Sequence, residues 1–576
     1  MIKCRFWRSV QSGIERPSAK KVSLVSDSRR YLVNVDSDSM SQRFTDCLVI
    51  GGGIAGLRAA IEAANNRKVI LLCKGTLAES NTWNAQGGIA FVQQSGSKMP
   101  EAMPKAKADL SAVADSFESH AADTISTGCG LSDKNVVDMV VRQGPPLVQE
   151  LLGWGLQFDS QDGSVATTRE GGHSYSRIAH AHGDETGKAI AEVLVRKVKA
   201  DPNIKIVENF FAIDLLTNGP NTCVGVLGQD KYGPQIIWAG NTMLATGGAG
   251  RLYRETTNPE VATGDGLAMA WRAGAVLADL EFVQFHPTTL YIAGASRALI
   301  TETLRGEGAV LLDSKGRRFM KEYDPAAELA PRDVVSRAIL TQMLKTKSTH
   351  VLLDVRHFDK NHFAQRFPLI NELCESFDID VSKDLIPVRP SAHYMVGGVK
   401  TDTGAKTSIE NLYACGEVAA TGLHGANRLG SNSLLEGLVF GKIAGAAVAA
   451  AEQDETLKTK HPSIRFEIPQ SDRTVLDTVD VRNSLRALMW RNVGITRSEK
   501  QLAEAEEIIR FWQRYVMDKV FDSPAGWELQ NMLTICLLMA QAARQRKESR
   551  GVHFRTDHPR TDNEHFQKHI EISRTT

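Results

Sequence analysis

Cys47-Leu-Val-Ile-Gly-Gly-Gly-Ile-Ala-Gly56 is the stretch that decides the fold. The apolar run Cys47–Ile50 reads as a short buried strand, and Leu57–Asn65 reads as an amphipathic helix. Val69-Ile-Leu-Leu-Cys73 reads as a second strand, so the whole is a βαβ unit of the dinucleotide-binding type. Gly51, Gly53 and Gly56 fall between strand and helix, the context a G-x-G-x-x-G motif requires. The first glycine permits the tight turn, the second lets a pyrophosphate approach the backbone, and the third packs helix on strand. The helix N-terminus adds partial positive charge. An acidic residue roughly 20 positions on is expected to accept ribose hydroxyls. Here the second strand ends in Cys73-Lys74, which speaks against a standard NAD site.

Around this unit the chain runs to 576 residues, enough for several domains. Lys and Arg total 68 against 67 Asp and Glu, a formal charge of +1 that offers no electrostatic footprint for nucleic acid or an anionic membrane. Hydrophobic residues at 42% and charged residues at 23% exclude wholesale disorder. The 8 cysteines are scattered with no C-x-x-C pair, so a disulfide framework, a zinc knuckle and an iron–sulfur cluster all lose support. His173, His180 and His182 lie close in sequence, but no metal is expected because ligands to complete a site are missing. No apolar run is long enough to span a bilayer. The first 40 residues are rich in Ser, Lys and Arg, with acids only at Glu15, Asp27, Asp36 and Asp38. That is the composition of a transit peptide; the preferred alternative is a start placed too early, with Met40 as the native one. A second glycine-rich region spans Thr401 to Gly441, and Glu281–His393 between has its own strands and helices. Beyond Pro469 the patterns Asp480–Trp490, Ser498–Val516 and Trp527–Lys547 read as helices, and the residues from Gly551 as a polar, loosely ordered tail.

The segment Glu79-Ser-Asn-Thr-Trp-Asn-Ala-Gln-Gly-Gly-Ile-Ala90, taken with the glycine loop, resembles the succinate dehydrogenase/fumarate reductase flavoprotein family. The resemblance runs from about Asp46 through Arg555. It continues through Arg169-Glu-Gly-Gly-His-Ser174, Ala245-Thr-Gly-Gly248, Ala262-Thr-Gly-Asp-Gly266 and Phe282-Val-Gln-Phe-His-Pro287. Further on come Thr301-Glu-Thr-Leu-Arg-Gly-Glu-Gly308, Ala330-Pro-Arg-Asp333, Ser391-Ala-His-Tyr394 and His424-Gly-Ala-Asn-Arg-Leu-Gly-Ser-Asn-Ser-Leu-Leu-Glu436. It implies an α/β fold: a Rossmann-type FAD-binding domain split in sequence, an inserted α+β capping domain and a C-terminal helical domain. The expected division is an N-terminal extension over 1–45, FAD-binding segments over 46–280 and 395–465, a cap over 281–394, a helical domain over 470–550 and a tail over 551–576. The cofactor would be FAD. Gly51, Gly53, Ile54, Ala55 and Gly56 would hold its pyrophosphate, and Lys74, at a position where the family also lacks the usual acid, is likewise expected to bind the cofactor. Ser80, Asn81, Thr82, Ala85, Gln86, Gly87 and Gly88 would wrap the flavin; Asp265 and Glu417 would take flavin-side hydroxyls, with Asn432, Ser433 and Leu434 near the ring.

The same resemblance implies a dicarboxylate substrate. Such a dianion needs cations at both ends, and Arg supplies a planar fork suited to carboxylates. Arg428, His286 and His393 match substrate-carboxylate ligands, and Arg332 matches the family's proton-handling residue, with Thr301 and Glu302 as neighbours. Two positions point to the branch that oxidises L-aspartate. Succinate dehydrogenases carry a flavin-tethering histidine where this chain has Asn81, so the FAD is expected to be non-covalent. Glu170 stands where dicarboxylate-only relatives have an apolar or aromatic residue, and a carboxylate there pairs with the substrate's α-ammonium. The implied reaction passes the Cα hydride of L-aspartate to flavin N5, giving iminosuccinate, with O2 or fumarate as electron acceptor. Quinolinate synthase, on the route to NAD, is the expected functional partner. The alternative activity is that of a succinate dehydrogenase or fumarate reductase flavoprotein subunit. The expected compartment is the cytoplasm, or a plastid if residues 1–40 are a transit peptide.

Overall fold

The computed structural model describes residues 40–93, 115–161, 163–219, 221–294, 297–452 and 474–574. The expectations for residues 1–39 and for 453–465 lie outside the described residues.

The strand opened by the glycine motif is longer than the apolar run suggests, Ser41–Ile50, because its first half pairs at an edge where one face stays exposed. It lies in a seven-stranded sheet between Val69–Leu72 and Gly233–Leu244, parallel to both. Leu412–Ala414 returns from far down the chain to pair, also in parallel, with the far end of Gly233–Leu244. Val69–Leu72 is an uninterrupted apolar run, as burial on both faces favours, whereas Gly233–Leu244 also buries the polar Gln235, Asn241 and Thr242. Because they run the same way, the loops after Ile50, Leu244 and Ala414 emerge at one edge, where ligands bind in open α/β sheets. Gly51 makes this convergence possible: its φ is +119°, and a Cβ there would lie 2.1 Å from the Ala245 carbonyl oxygen.

Behind the motif, helix Ile54–Ala63 packs on Asn432–Ala450. The latter carries Gly437, Gly441 and Gly445 at four-residue spacing, one face of a helix. A Cβ on Gly441 would sit 2.6 Å from the Ala55 carbonyl oxygen, and one on Gly445 2.5 Å from that of Ala59. The two backbones therefore touch. Asn432–Ala450 is long and apolar enough to cross a membrane by length and composition, but 61% of it is buried inside this fold.

A second, antiparallel sheet of four strands runs Val283–Leu290, Ile386–Met395, Val351–Asp354, Val310–Leu312. With helix Arg332–Thr346 it encloses a separate core containing Ile300, Phe319, Ile339, Phe363 and Val388. The register sets His286 opposite Ser391, two residues from His393, so the two histidines come from neighbouring strands.

The three C-terminal helices are Thr478–Asn492, Glu499–Val516 and Pro524–Gln545. Asp477 and Ser498 cap the first two through side-chain oxygens, and Pro524 starts the third where its missing N–H costs nothing. The tail differs from the loosely ordered segment expected. Glu571–Ile572 pairs with Leu277–Ala278, and Ile570 N donates to Asp279 Oδ1. Buried Arg546 donates to the carbonyls of Phe566 and Lys568 and pairs with Glu281 and Glu548 at 2.6 and 3.0 Å. Polar composition misled here, because these charges are satisfied inside the protein.

Replacing Gly441 by Val is expected to force the two helices apart. Thermal denaturation should show a Tm lowered by at least several degrees, consistent with overpacking of about 1–3 kcal/mol. An unchanged Tm would refute the proposed contact.

Candidate active site

A cavity of ≈ 690 Å³ runs along the converging strand ends. The glycine loop lines one side through Gly51, Gly53, Ile54 and Ala55, and Ser80, Asn81, Thr82, Ala85 and Gln86 line another. Lys74 and Asp265 stand together at one place on its wall, paired at 2.7 Å, so Asp265 lies beside the end of the second strand and not on the flavin side expected for it; Glu417, Ser433, Leu434, Tyr394 and His393 stand at another. Thr82 Oγ1 accepts from Ile54 N at 3.0 Å, so the segment after the second strand caps the motif helix. Gln86 Oε1 and Thr246 Oγ1 line the cavity and, among the described residues, are buried with no hydrogen-bond partner. Such orphaned polar atoms along a glycine-walled cleft fit a long polar cofactor.

Four residues expected at the cofactor lie off this cavity. Gly56 faces the Gly51 carbonyl, and Gly88 faces Ile178 and Ala179. Gly87 is outside the cavity wall, its nearest outside neighbour being Ser431 Oγ. The Asn432 side chain turns away, donating to Thr124 Oγ1 and meeting His120 Nε2 at 2.9 Å. Asn81 donates to Glu417 Oε2 and Asn258 Oδ1. Burial pushes Glu417 up to about 7.

The other predicted residues gather behind His393, Tyr394 and Ser433; Glu170, His286, Thr301, Glu302 and Arg428 are buried and Arg332 is half-buried. Arg428 donates to Ser433 Oγ (3.0 Å) and Gln284 Oε1 (2.8 Å) and stacks over the Tyr394 ring at 4.5 Å. Among the described residues its buried Nε has no partner. Burial, then repulsion from Arg332, lowers its pKa to about 10. Arg332 opens helix Arg332–Thr346, donates to the same Gln284 Oε1 (3.2 Å) and pairs with Glu302. His286 and His393 meet edge to face, ring centroids 5.2 Å apart. Burial first, and nearby arginines second, hold both far below the usual histidine range, so both are neutral. Thr301 immediately precedes the helix Glu302–Gly306, whose first turn holds Glu302, and its hydroxyl meets Thr303 Oγ1 at 3.2 Å.

Glu170 accepts from Thr303 Oγ1 (3.0 Å) and Ser431 Oγ (3.1 Å). Burial and the neighbouring Glu302 carboxylate raise its pKa. Burial acts the same way on Glu302, but Arg332 and Arg305 outweigh it and hold that group ionised. A Cβ on Gly430 would lie 3.1 Å from Glu170, 3.3 Å from Arg332 and 3.6 Å from Glu302, so the three charged groups converge on that glycine.

Residues 46–434 match the family described as FAD binding domain, and residues 482–576 match fumarate reductase flavoprotein C-term. The chain belongs to the succinate dehydrogenase/fumarate reductase flavoprotein family. FAD is this flavoprotein's cofactor. The chain is 40% identical to L-aspartate oxidase of Streptomyces coelicolor, over 92% of this chain and 91% of that one. It is 39% identical to a chloroplastic L-aspartate oxidase of Arabidopsis thaliana, covering 94% of this chain and 85% of the relative. Among solved structures, a quinol fumarate reductase of E. coli superposes with a TM-score of 0.82 at 32% identity, over 93% of this chain and 96% of that one.

In this flavoprotein, sequence reading missed Gln284, which joins Arg332 to Arg428. Its position two residues before His286 on one strand was the available signal. Ser431 and Thr303, the partners of Glu170, gave none beyond lying in quoted motifs. Two of the three clustered histidines have separate partners: His173 meets the Gly430 carbonyl and Arg177, while His180 meets Thr168.

Burial holds three histidines of this scaffold low, His120 and His180 at about 3 and His173 at about 4. Unfolded, each titrates near 6.5, so their contribution is present above that pH and is lost as pH falls toward the folded values. Each costs about 1.4 kcal/mol per pH unit over that window. Thermal melts should show Tm falling steeply below about pH 6.5, with net proton uptake on unfolding. A Tm independent of pH down to about pH 5 would overturn this assignment.

Proposed function

We propose that this flavoprotein oxidises L-aspartate to iminosuccinate. The observation carrying the reading is a buried carboxylate, Glu170, set beside a cluster otherwise suited to a dicarboxylate. The two relatives quoted above that are named L-aspartate oxidase support it.

Arg428 grips one substrate carboxylate, and neutral His286 and His393 donate hydrogen bonds without adding charge. Gln284 fixes Arg428 against Arg332, which stays charged in its pair with Glu302 and orients the substrate. Thr301 sets the position of Glu302. Glu170 faces the α-ammonium. A carboxyl whose pKa is raised in the empty site ionises when that cation arrives, and it is suited to accept the ammonium proton as the imine forms. Succinate brings no cation and leaves Glu170 buried without a counter-charge. The chemistry supplied there when FAD is bound is two-electron oxidation, taking the Cα hydride and passing the electrons to O2, giving H2O2, or to fumarate. The antiparallel sheet closing over the site excludes water.

Gly51, Gly53, Ile54, Ala55 and Gln86 hold the cofactor in this reading, with Ser433 and Leu434 at its reacting end. Asn81 offers no nucleophile for a covalent link, so the FAD is non-covalent, which favours this reading over a succinate dehydrogenase subunit. The product is a reactive imine, and we propose quinolinate synthase, leading to NAD, as the functional partner. The proposed compartment is the cytoplasm, with a plastid as the alternative suggested by relatives named chloroplastic.

The test is Glu170→Gln, which keeps shape and removes charge. The ratio of kcat/KM for L-aspartate over succinate should fall by ~100-fold, reflecting about 3 kcal/mol for a broken buried pair. An unchanged ratio would contradict the role given to Glu170.

A further inference from the structure

The acid that usually ends the second strand of a dinucleotide-binding unit, and accepts ribose hydroxyls, is replaced by Lys74. An ammonium has three protons and no lone pair. Lys74 Nζ already faces Thr263 Oγ1 at 2.6 Å, Asp265 Oδ2 at 2.7 Å, Glu528 Oε1 at 2.5 Å and the Val261 carbonyl at 3.2 Å. Four acceptors for three protons leave Lys74 nothing to offer a ligand.

Asp265 is different. Its Oδ2 accepts from Lys74 and Thr263, which fills that oxygen. Among the described residues its Oδ1 accepts only from Asn531 Nδ2, at 2.7 Å, leaving one lone pair on a group that lines the cavity. Asn531 is fully buried, and its amide is fixed from the other side by Arg272 Nη1, which donates to Asn531 Oδ1 at 2.8 Å. Glu528, the Lys74 partner, is held in turn by Arg482. Asn531 and Glu528 sit three residues apart on helix Pro524–Gln545, on one face.

We propose that Asn531 and Glu528 are positioning residues for FAD: through Asp265 and Lys74 they aim the free Asp265 oxygen at a ribose hydroxyl of the adenosine half. The C-terminal helical unit is thereby part of the cofactor site, and FAD binding and docking of that helix stabilise each other.

The test uses full-length apoprotein titrated with FAD and, separately, with FMN, which lacks the adenosine half. Asn531→Leu should raise the FAD Kd more than about tenfold while leaving FMN affinity unchanged. Equal weakening of both flavins, or of neither, would overturn the proposal. Because Asn531 is buried, the wild-type chain provides a second measurement. Amide hydrogen exchange in helix Pro524–Gln545 should slow when FAD is added and stay as in the apoprotein when FMN is added. Exchange indifferent to FAD would overturn the proposal as well.

Discussion

Parallel pairing of Ser41–Ile50 with Gly233–Leu244, and of that strand with Leu412–Ala414, is the constraint on which the rest depends. Parallel strands deliver their following loops to one edge. Residues separated by hundreds of positions, Gly51, Ala245 and Gly416, therefore wall a single cavity. The pairing tolerates no bulk at that edge, which is why Gly51 lies against Ala245. The helix that follows must lie flush on Asn432–Ala450, and the stripe Gly437, Gly441, Gly445 allows it. Gly51 and the Gly437, Gly441 and Gly445 stripe serve these two contacts.

Electrostatics follow from enclosure. A formal charge of +1 over the chain hides a buried cluster in which Arg332 and Arg428 share one acceptor, Gln284, and repel each other. Two neutral histidines add donors without increasing that repulsion. Arg332 is balanced by Glu302; Arg428 has a buried Nε with no partner among the described residues. That imbalance suits an anionic ligand, and Glu170 adds the feature that distinguishes an amino acid from a plain diacid.

The βαβ unit was legible because its signals are local: an apolar run, three glycines and an amphipathic helix. The three C-terminal helices were legible for the same reason, through their periodicity. The wrapping residues Ser80 to Gln86 were reached through motifs, and most of them line the cavity. What the sequence hid is orientation. Asn432 sits in a flavin-family motif, yet its side chain turns to Thr124 and His120, because the first turn of its helix points it into the interior. Lys74 looked like a cofactor ligand, but its protons are spent on Asp265, Thr263 and Glu528. The tail looked solvated because it is polar; long-range partners such as Asp279 and Arg546 hold it, and no local pattern announces them.

The central claim is that one closed site holds FAD beside a cluster that selects an amino-dicarboxylate. Anaerobic mixing of the purified holoprotein with L-aspartate, D-aspartate and succinate in parallel tests it most directly, following flavin absorbance near ~450 nm. The account predicts rapid bleaching by L-aspartate, with little or none by the other two. Bleaching by succinate but not by L-aspartate would contradict it.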